Sequence, residues 1–226
     1  MSQSEVSAVL ISLQVATLAV VTSFPFAVGI AYVLARKTFP GRWLLQGFVD
    51  LPLVLPPVVT GFLLLGLFSS NSPVGRVLNQ MGLAVAFSWL GAVLAAGVVS
   101  FPLMVRSIKG SFQNSNARLE LAARSLGASR ISAFVTITLP LARNGIIAGC
   151  LLAFARAMGE FGATVMLAGN IPDQTRTIPL AIYSMSQRVG GFEQSWRLVL
   201  ISVLIALVAV GIGEYLENRR RNIEQN

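Results

Sequence analysis

The residues with the most chemistry in them are Arg156 and Glu160, two opposite charges set inside a run of apolar and small side chains. Four positions apart, they share one face of a helix. A charge inside hydrocarbon is costly and rarely faces lipid. An opposite charge one turn away offsets that cost, so the pair is either a structural salt bridge or a group that biases an ion pathway or holds a gate. Other chemistries lack their parts. There is no His and a single Cys, Cys150, inside an apolar run, which excludes a His/Cys metal site and an intrachain disulfide. Cys150 reads as a small packing residue. The only lysines are Lys37 and Lys109, and neither sits in a G-x-x-x-x-G-K-S/T loop. No zincin helix or nucleophile elbow is present. The expectation is a chain that is not an enzyme, holds no metal or cofactor, and draws energy from a partner or a gradient.

Elements able to place two charges in an apolar setting must themselves be apolar. Hydrophobic residues make up 54% of the chain and charged ones 12%, about half the quarter usual in soluble domains. A soluble fold could not cover that much apolar surface, so several membrane spans are expected. The net charge of +8 comes from short basic groups between apolar runs. Such groups fit the loops of a membrane protein better than a nucleic-acid-binding stripe. No Lys or Arg precedes the first apolar run, which therefore does not read as a cleaved leader.

The sequence predicts an all-α bundle of five spans. The first covers residues 8–35, is kinked at Pro25 and is followed by Arg36, Lys37 and Arg42. The second, residues 44–68, is broken by Pro52, Pro56 and Pro57. In a bilayer such a break is tolerated only against protein or a water-filled cavity. It is either a kinked packing helix or a bend lining a pathway. Thr60, just beyond it, joins the three prolines, Arg156 and Glu160 as candidates for the pathway or its gate. Residues 69–89 are too polar to cross and read as an external loop with a short amphipathic helix. The third span is residues 91–108, with a bend at Pro102. The fourth, residues 141–168, carries Gly145, Gly149, Ala153 and Ala157 at four-residue steps, a smooth face for close packing. Residues 178–189 form a helix too short to cross, dipping in from outside. The fifth span is residues 196–216, ending in Arg219, Arg220 and Arg221. In this topology twelve basic residues lie on the cytoplasmic side and four outside, which places the N-terminus outside and the C-terminus in the cytoplasm.

Between the third and fourth spans lies the longest polar and basic interruption, residues 120–140, within a loop of residues 115–140. Leu119, Ala122, Ala123 and Leu126 are spaced for a helix, and Gly127 is its left-handed stop. Ser129 or Ser132 caps a second short helix that ends near Pro140. Too short to span, the stretch is a cytoplasmic elbow.

Ala122, Ala123, Gly127, Ile137, Leu139 and Pro140 carry a further pattern: E-A-A, three residues, Gly, nine residues, I-x-L-P. It resembles the signature of ABC importer permeases. The chain departs from it at Leu121, with the acid one position earlier, at Glu120. Blocks at 34–65, 101–108 and 154–183 are similar to those of molybdate importer permeases, with sulfate permeases as relatives. The resemblance implies a single permease domain, residues 1–226, of the type I importer fold. It also implies a homodimer in the cell membrane whose elbows, through Glu120 and the six motif residues, dock on two cytoplasmic ATPase subunits that hold ATP and Mg. An oxyanion-binding protein delivers the cargo outside, molybdate or tungstate by preference and sulfate as the alternative. Contact is with membrane lipid and not with nucleic acid. A gradient-driven transporter or channel, or a non-transporting scaffold, are the rival classes.

Overall fold

The computed structural model describes the backbone of residues 2–224 and the side chains as far as residue 209, with Gly211. It is helical throughout, with no strand among the described residues. Helix α1, Gln3–Arg36, opens with a capping box. Ser2 Oγ accepts from the Glu5 amide, and the Ser2 amide donates to the Glu5 carboxylate at 2.7 Å. The helix runs on through Pro25 without a break. Near its end the Arg42 guanidinium donates to the Leu34 carbonyl at 2.7 Å, one of the acceptors a helix end leaves open.

Helices α2, Arg42–Val54, and α3, Pro57–Phe68, meet at a bend of 113°. The break falls at Leu55 and Pro56. Pro57 starts α3, where a missing amide proton costs nothing, and Pro52 lies within α2. Helix α4, Pro73–Gln80, is the short helix expected in the polar loop. Helix α5, Trp89–Asn114, extends beyond the expected third span at both ends.

Helix α5 is the centre of the bundle. It packs against α1, α2 and α3, and against two later helices, α9, Arg143–Met158, and α10, Gly162–Leu167. Its buried residues run from Gly91 through Ala92, Ala95, Ala96 and Gly97 to Phe112. Small side chains let backbones approach closely, which matters in a bilayer because lipid gives apolar helices no hydrophobic reason to associate. The α9 face behaves as expected. A Cβ on Gly145 would stand 2.3 Å from the Ser111 Cβ, and the Ser107 hydroxyl donates to the Gly145 carbonyl at 2.9 Å.

The elbow comprises α6, Ala117–Ser125, and α7, Arg130–Ala133, followed by a π-helical stretch, Phe134–Thr138, and α8, Leu139–Leu141. The second short helix, expected to end near Pro140, is α7, which ends at Ala133; the chain continues through the irregular piece to Leu141 and into α9 with a bend of 70°. Pro140 cannot donate to the carbonyl four residues back, and the wider π-turn, with the Leu139 amide on the Phe134 carbonyl, precedes it.

One expectation fails here. The fourth span is not a continuous helix over residues 141–168, since α9 stops at Met158 and α10 begins only at Gly162. Among the described residues, three helices are long and apolar enough to cross by themselves: α1, α5 and the segment Gly191–Ala209. The count reaches five when the pairs α2 with α3 and Arg130–Leu141 with α9 are each taken as one crossing.

Helix α11, Ile178–Ser186, is about 14 Å long at 1.5 Å per residue, too short to cross. Its Ile178 amide donates to Ser12 Oγ of α1 at 2.7 Å. Helix α12, Gly191–Glu224, packs on α11 and α9, with only 11% of its apolar window buried. The side chains of Arg219, Arg220 and Arg221 lie outside the described residues.

The α5–α9 contact yields a test. Gly145→Val drives a branched side chain into Ser111 and lowers stability by about 1–3 kcal/mol, seen as a lower unfolding midpoint in detergent. Gly110→Ala, with nothing within 4 Å of its added Cβ, leaves the midpoint unchanged or raised.

Candidate functional site

The elbow is built by local rules. Asn116 caps α6 by accepting from the Arg118 amide at 2.9 Å. At the other end Gly127 takes φ +96°, a conformation strained for any residue with a Cβ. Its amide donates to the Arg124 carbonyl, and the Ala128 amide to that of Ala123, both at 3.1 Å. This pair of bonds is the Schellman stop. Ser129 then caps α7 by accepting from the Ser132 amide. The two short helices predicted from the sequence are present, with Ala122 exposed and Ala123 half-buried on the first. Ile137 in the π-stretch and Leu139 in α8 are half-buried, and Leu139 packs on the core shared by α1 and α5. Pro140 is exposed.

Glu120 does not point to solvent. Its carboxylate accepts from the Tyr32 hydroxyl of α1 and from the Thr138 hydroxyl of the π-stretch, each at 2.7 Å. The Tyr32 ring is wedged edge-on against Phe112, at 5.8 Å, and Phe134, at 5.0 Å. Burial acts to raise the Glu120 pKa. The hydrogen bonds from Tyr32 and Thr138 and the charges of Arg36 and Arg124 outweigh burial and hold the carboxyl below its ordinary range. Arg36 in turn donates to the Ser115 carbonyl and hydroxyl, pinning the link between α5 and α6. Neither Tyr32 nor Thr138 stands out in the sequence. Tyr32 lies 88 positions from its partner, in an apolar run where a lone hydroxyl is the only signal.

The charge pair is confirmed as a contact and corrected in its setting. Arg156 Nη1 lies 2.7 Å from Glu160 Oε2, but Glu160 stands beyond the end of α9, in the break before α10. Its second oxygen accepts from the Ala163 amide at 2.7 Å, supplying a partner that the first turn of α10 lacks. Glu160 is 2% exposed, and the Arg156 side chain 29%. The break also meets the bend of the second span. Gly162 abuts Pro57 and Val58, and a Cβ on Gly61 would lie 2.7 Å from the Ala163 backbone. Thus Pro57 and Glu160 are brought to one region, while Pro56 caps the start of α3 within the bend and Pro52 lies in α2. Thr60 is buried, and its hydroxyl has no hydrogen-bond partner among the described residues.

A second polar set was not foreseen as a unit. Arg106 of α5 pairs with Asp50 of α2 at 2.8 Å, Gln46 donates to Asp50 at 2.7 Å, and Lys109 donates to Gln46 at 2.7 Å. These bonds fasten α2, which buries only Val49, to α5. No group of three or more His, Cys, Asp or Glu side chains able to hold a metal occurs among the described residues.

A bundle of whole and broken spans around such an elbow is the fold of ABC transporter permeases. The chain superposes on a bacterial alginate ABC transporter, solved with an alginate pentasaccharide-bound periplasmic protein, with a TM-score of 0.75 and 19% identity over 97% of this chain and 80% of that one. The inward-facing MetNI methionine ABC transporter gives 0.68 and 14%, over 96% and 99%. At these identities the likeness is one of fold alone. In sequence, the chain is 50% identical to the molybdenum transport system permease protein ModB of Escherichia coli over 217 residues, 96% of this chain and 95% of that protein. Identity is 48% to ModB of Haemophilus influenzae, over 95% and 94%. It is 36% to the sulfate transport system permease protein CysT of Salmonella typhimurium, over 89% and 72%. Residues 15–222 match the family of binding-protein-dependent transport system inner membrane components, and the chain belongs to that family. It is a multi-pass membrane protein.

Two tests follow from this geometry. Glu160→Ala leaves the Arg156 charge and the Ala163 amide without their partner and destabilises by about 2–4 kcal/mol. Glu160→Gln, which keeps an acceptor, costs less on the same thermal unfolding assay. An exchange of the two charges does not restore stability, because Arg at 160 cannot accept from Ala163. For Glu120, the depressed folded pKa means that its contribution is complete above the unfolded value of about 4.3 and is lost as pH falls through the lower folded value. Unfolding midpoints followed from about pH 6 to about pH 3 therefore drop less for Glu120→Gln than for the native chain.

Proposed function

We propose that this chain is the membrane-spanning permease of an ATP-driven importer for a tetrahedral oxyanion, with molybdate as cargo and tungstate as its near-equal in size and charge. The observation that carries this reading is half-identity to a molybdenum permease along nearly the full length of both chains. Sulfate is the second reading, supported by the more distant identity to the sulfate permease. Two copies form the pathway, and each elbow docks on one cytoplasmic ATPase subunit, which holds the ATP and Mg. An external binding protein delivers the anion and supplies most of the specificity. The N-terminus lies outside and the C-terminus in the cytoplasm, a reading supported by the twelve-to-four distribution of basic residues.

The elbow suits docking by its surface. Leu126 is 89% exposed and Ile131 78%, and Leu119, Leu121 and Val135 of the elbow are exposed as well, among Arg118, Arg124 and Arg130. Exposed apolar side chains rimmed by charge mark a protein contact. In the cycle, ATP draws the ATPase subunits together and the elbows with them. The bundles then open outward to accept the anion, and hydrolysis lets them relax inward. A ligand drives such a shift only through contacts that differ between the two states. Pro52, Pro56, Pro57 and Thr60 at the bend, with Arg156 and Glu160 beside it, shape the pathway or its gate.

Two measurements test the assignment. The tagged chain, expressed with its neighbouring gene products, co-purifies with an ABC ATPase and supports ATP-dependent uptake of labelled molybdate. Purification without an ATPase, together with uptake driven by a gradient alone, would overturn the reading. Gly127→Val places a β-branched residue at φ +96°, at a cost of about 1–3 kcal/mol. That variant inserts normally and loses uptake, and normal uptake by it would count against a coupling role for the elbow.

A further inference from the structure

The arrangement around Glu120 accounts for how a push on the elbow reaches the spans. Helix α6 has no buried residue. Its only side-chain hydrogen bonds to other elements, among the described residues, are the two that Glu120 accepts. One goes to Tyr32, in the last turns of α1, and the other to Thr138, just before the turn into α9. The Tyr32 ring is held by Phe112 of α5 and Phe134 of the π-stretch, so its hydroxyl has little freedom to follow α6 unaided. Both carboxylate oxygens are thereby engaged by hydroxyls of the permease itself. A carboxylate accepting two hydroxyls is a stiff link, since bonds to an ionised acceptor are shorter and stronger than neutral ones.

We propose that Tyr32, Glu120 and Thr138 form an internal joint that makes α6, α1 and the start of α9 move as one body. Tyr32 and Thr138 are positioning residues for transport, and Glu120 acts within the permease instead of on the ATPase surface. The proposal rests on the reading that the elbow meets an ATPase. Without the joint, α6 still docks but slides relative to the spans, so hydrolysis proceeds while the pathway fails to switch.

The test uses the assembled transporter in proteoliposomes with its binding protein, and measures molybdate uptake and phosphate release in the same vesicles. Tyr32→Phe keeps the ring and removes only the hydroxyl, and Thr138→Val is its counterpart on the π-stretch. The double variant is expected to hydrolyse ATP at the native rate or faster while molybdate moved per ATP falls about tenfold, the factor carried by one strong hydrogen bond. Thr138→Ser restores the ratio. An unchanged ratio in the double variant, including a parallel fall of uptake and hydrolysis, overturns the joint. Failure of the native vesicles to import molybdate would count against the proposed cargo instead.

The joint is then judged by a measurement that needs no transport. Spin labels at the exposed positions Lys37 and Leu126, on a Cys150→Ala background, report the spread of distances between α1 and the elbow in lipid nanodiscs. The spread is narrow with the native trio and broad in the double variant. Equal spreads overturn the proposal.

Discussion

Hydrocarbon offers a backbone amide or carbonyl nothing to bond with, and the bends in this chain's spans answer to that constraint. A straight helix satisfies its own groups, but this bundle bends at Leu55–Pro56, at Ala142 and between Met158 and Gly162. Each bend comes with local compensation. The Pro56 carbonyl accepts from the Val59 and Thr60 amides. The Ala142 carbonyl accepts from the Ile146 amide and lies 3.3 Å from the Ser111 hydroxyl, which donates to it. Past Met158, the Glu160 carboxylate takes the Ala163 amide. The most buried acid of the membrane region is therefore explained by backbone accounting before any role in transport is invoked, and Arg156 is the counter-charge that makes it tolerable.

The same constraint governs packing. Apolar helices gain little from leaving lipid for each other, so α1, α5 and α9 are joined by close approach of Ala, Gly and Ser, with hydroxyl-to-carbonyl bonds such as Ser107 to Gly145 between them. The trio then supports the pieces that cannot stand alone. The short α10 rests on α5 and α3, α2 is tied by Asp50 to Arg106, and the elbow hangs from α1 through Glu120. A rigid centre whose arms are fastened at a few defined points can transmit displacement without losing its own packing.

Much of this was legible in the residues. Gly127 marked the stop of α6 because only glycine sits easily at that backbone angle, and Ser129 marked the next start because its side chain replaces a missing acceptor. The prolines at 56 and 57 announced the bend, and the four-residue run from Gly145 marked a face for close packing, whose partner the structure shows to be α5. What stayed hidden was long-range or competitive. Apolar periodicity cannot reveal that residues 159–161 leave the helix, since Gly159 and Phe161 are compatible with a span and the break is stabilised by the local bonds of Glu160 to Arg156 and Ala163 and by the close approach of Gly162 to Pro57 and Val58. Nor can it show that Glu120, one place off the familiar signature, meets a tyrosine in the first helix.

Among the described residues, helix α12 touches the rest of the bundle chiefly through α11 and α9, and only 11% of its apolar window is buried. The window is close in length to the roughly 30 Å of hydrocarbon around it, so a change in bilayer thickness acts on this helix directly. The bilayer is in that sense a structural subunit for this part of the chain. Acyl-chain length, which leaves the α1–α5–α9 centre untouched, becomes a variable of the fold itself.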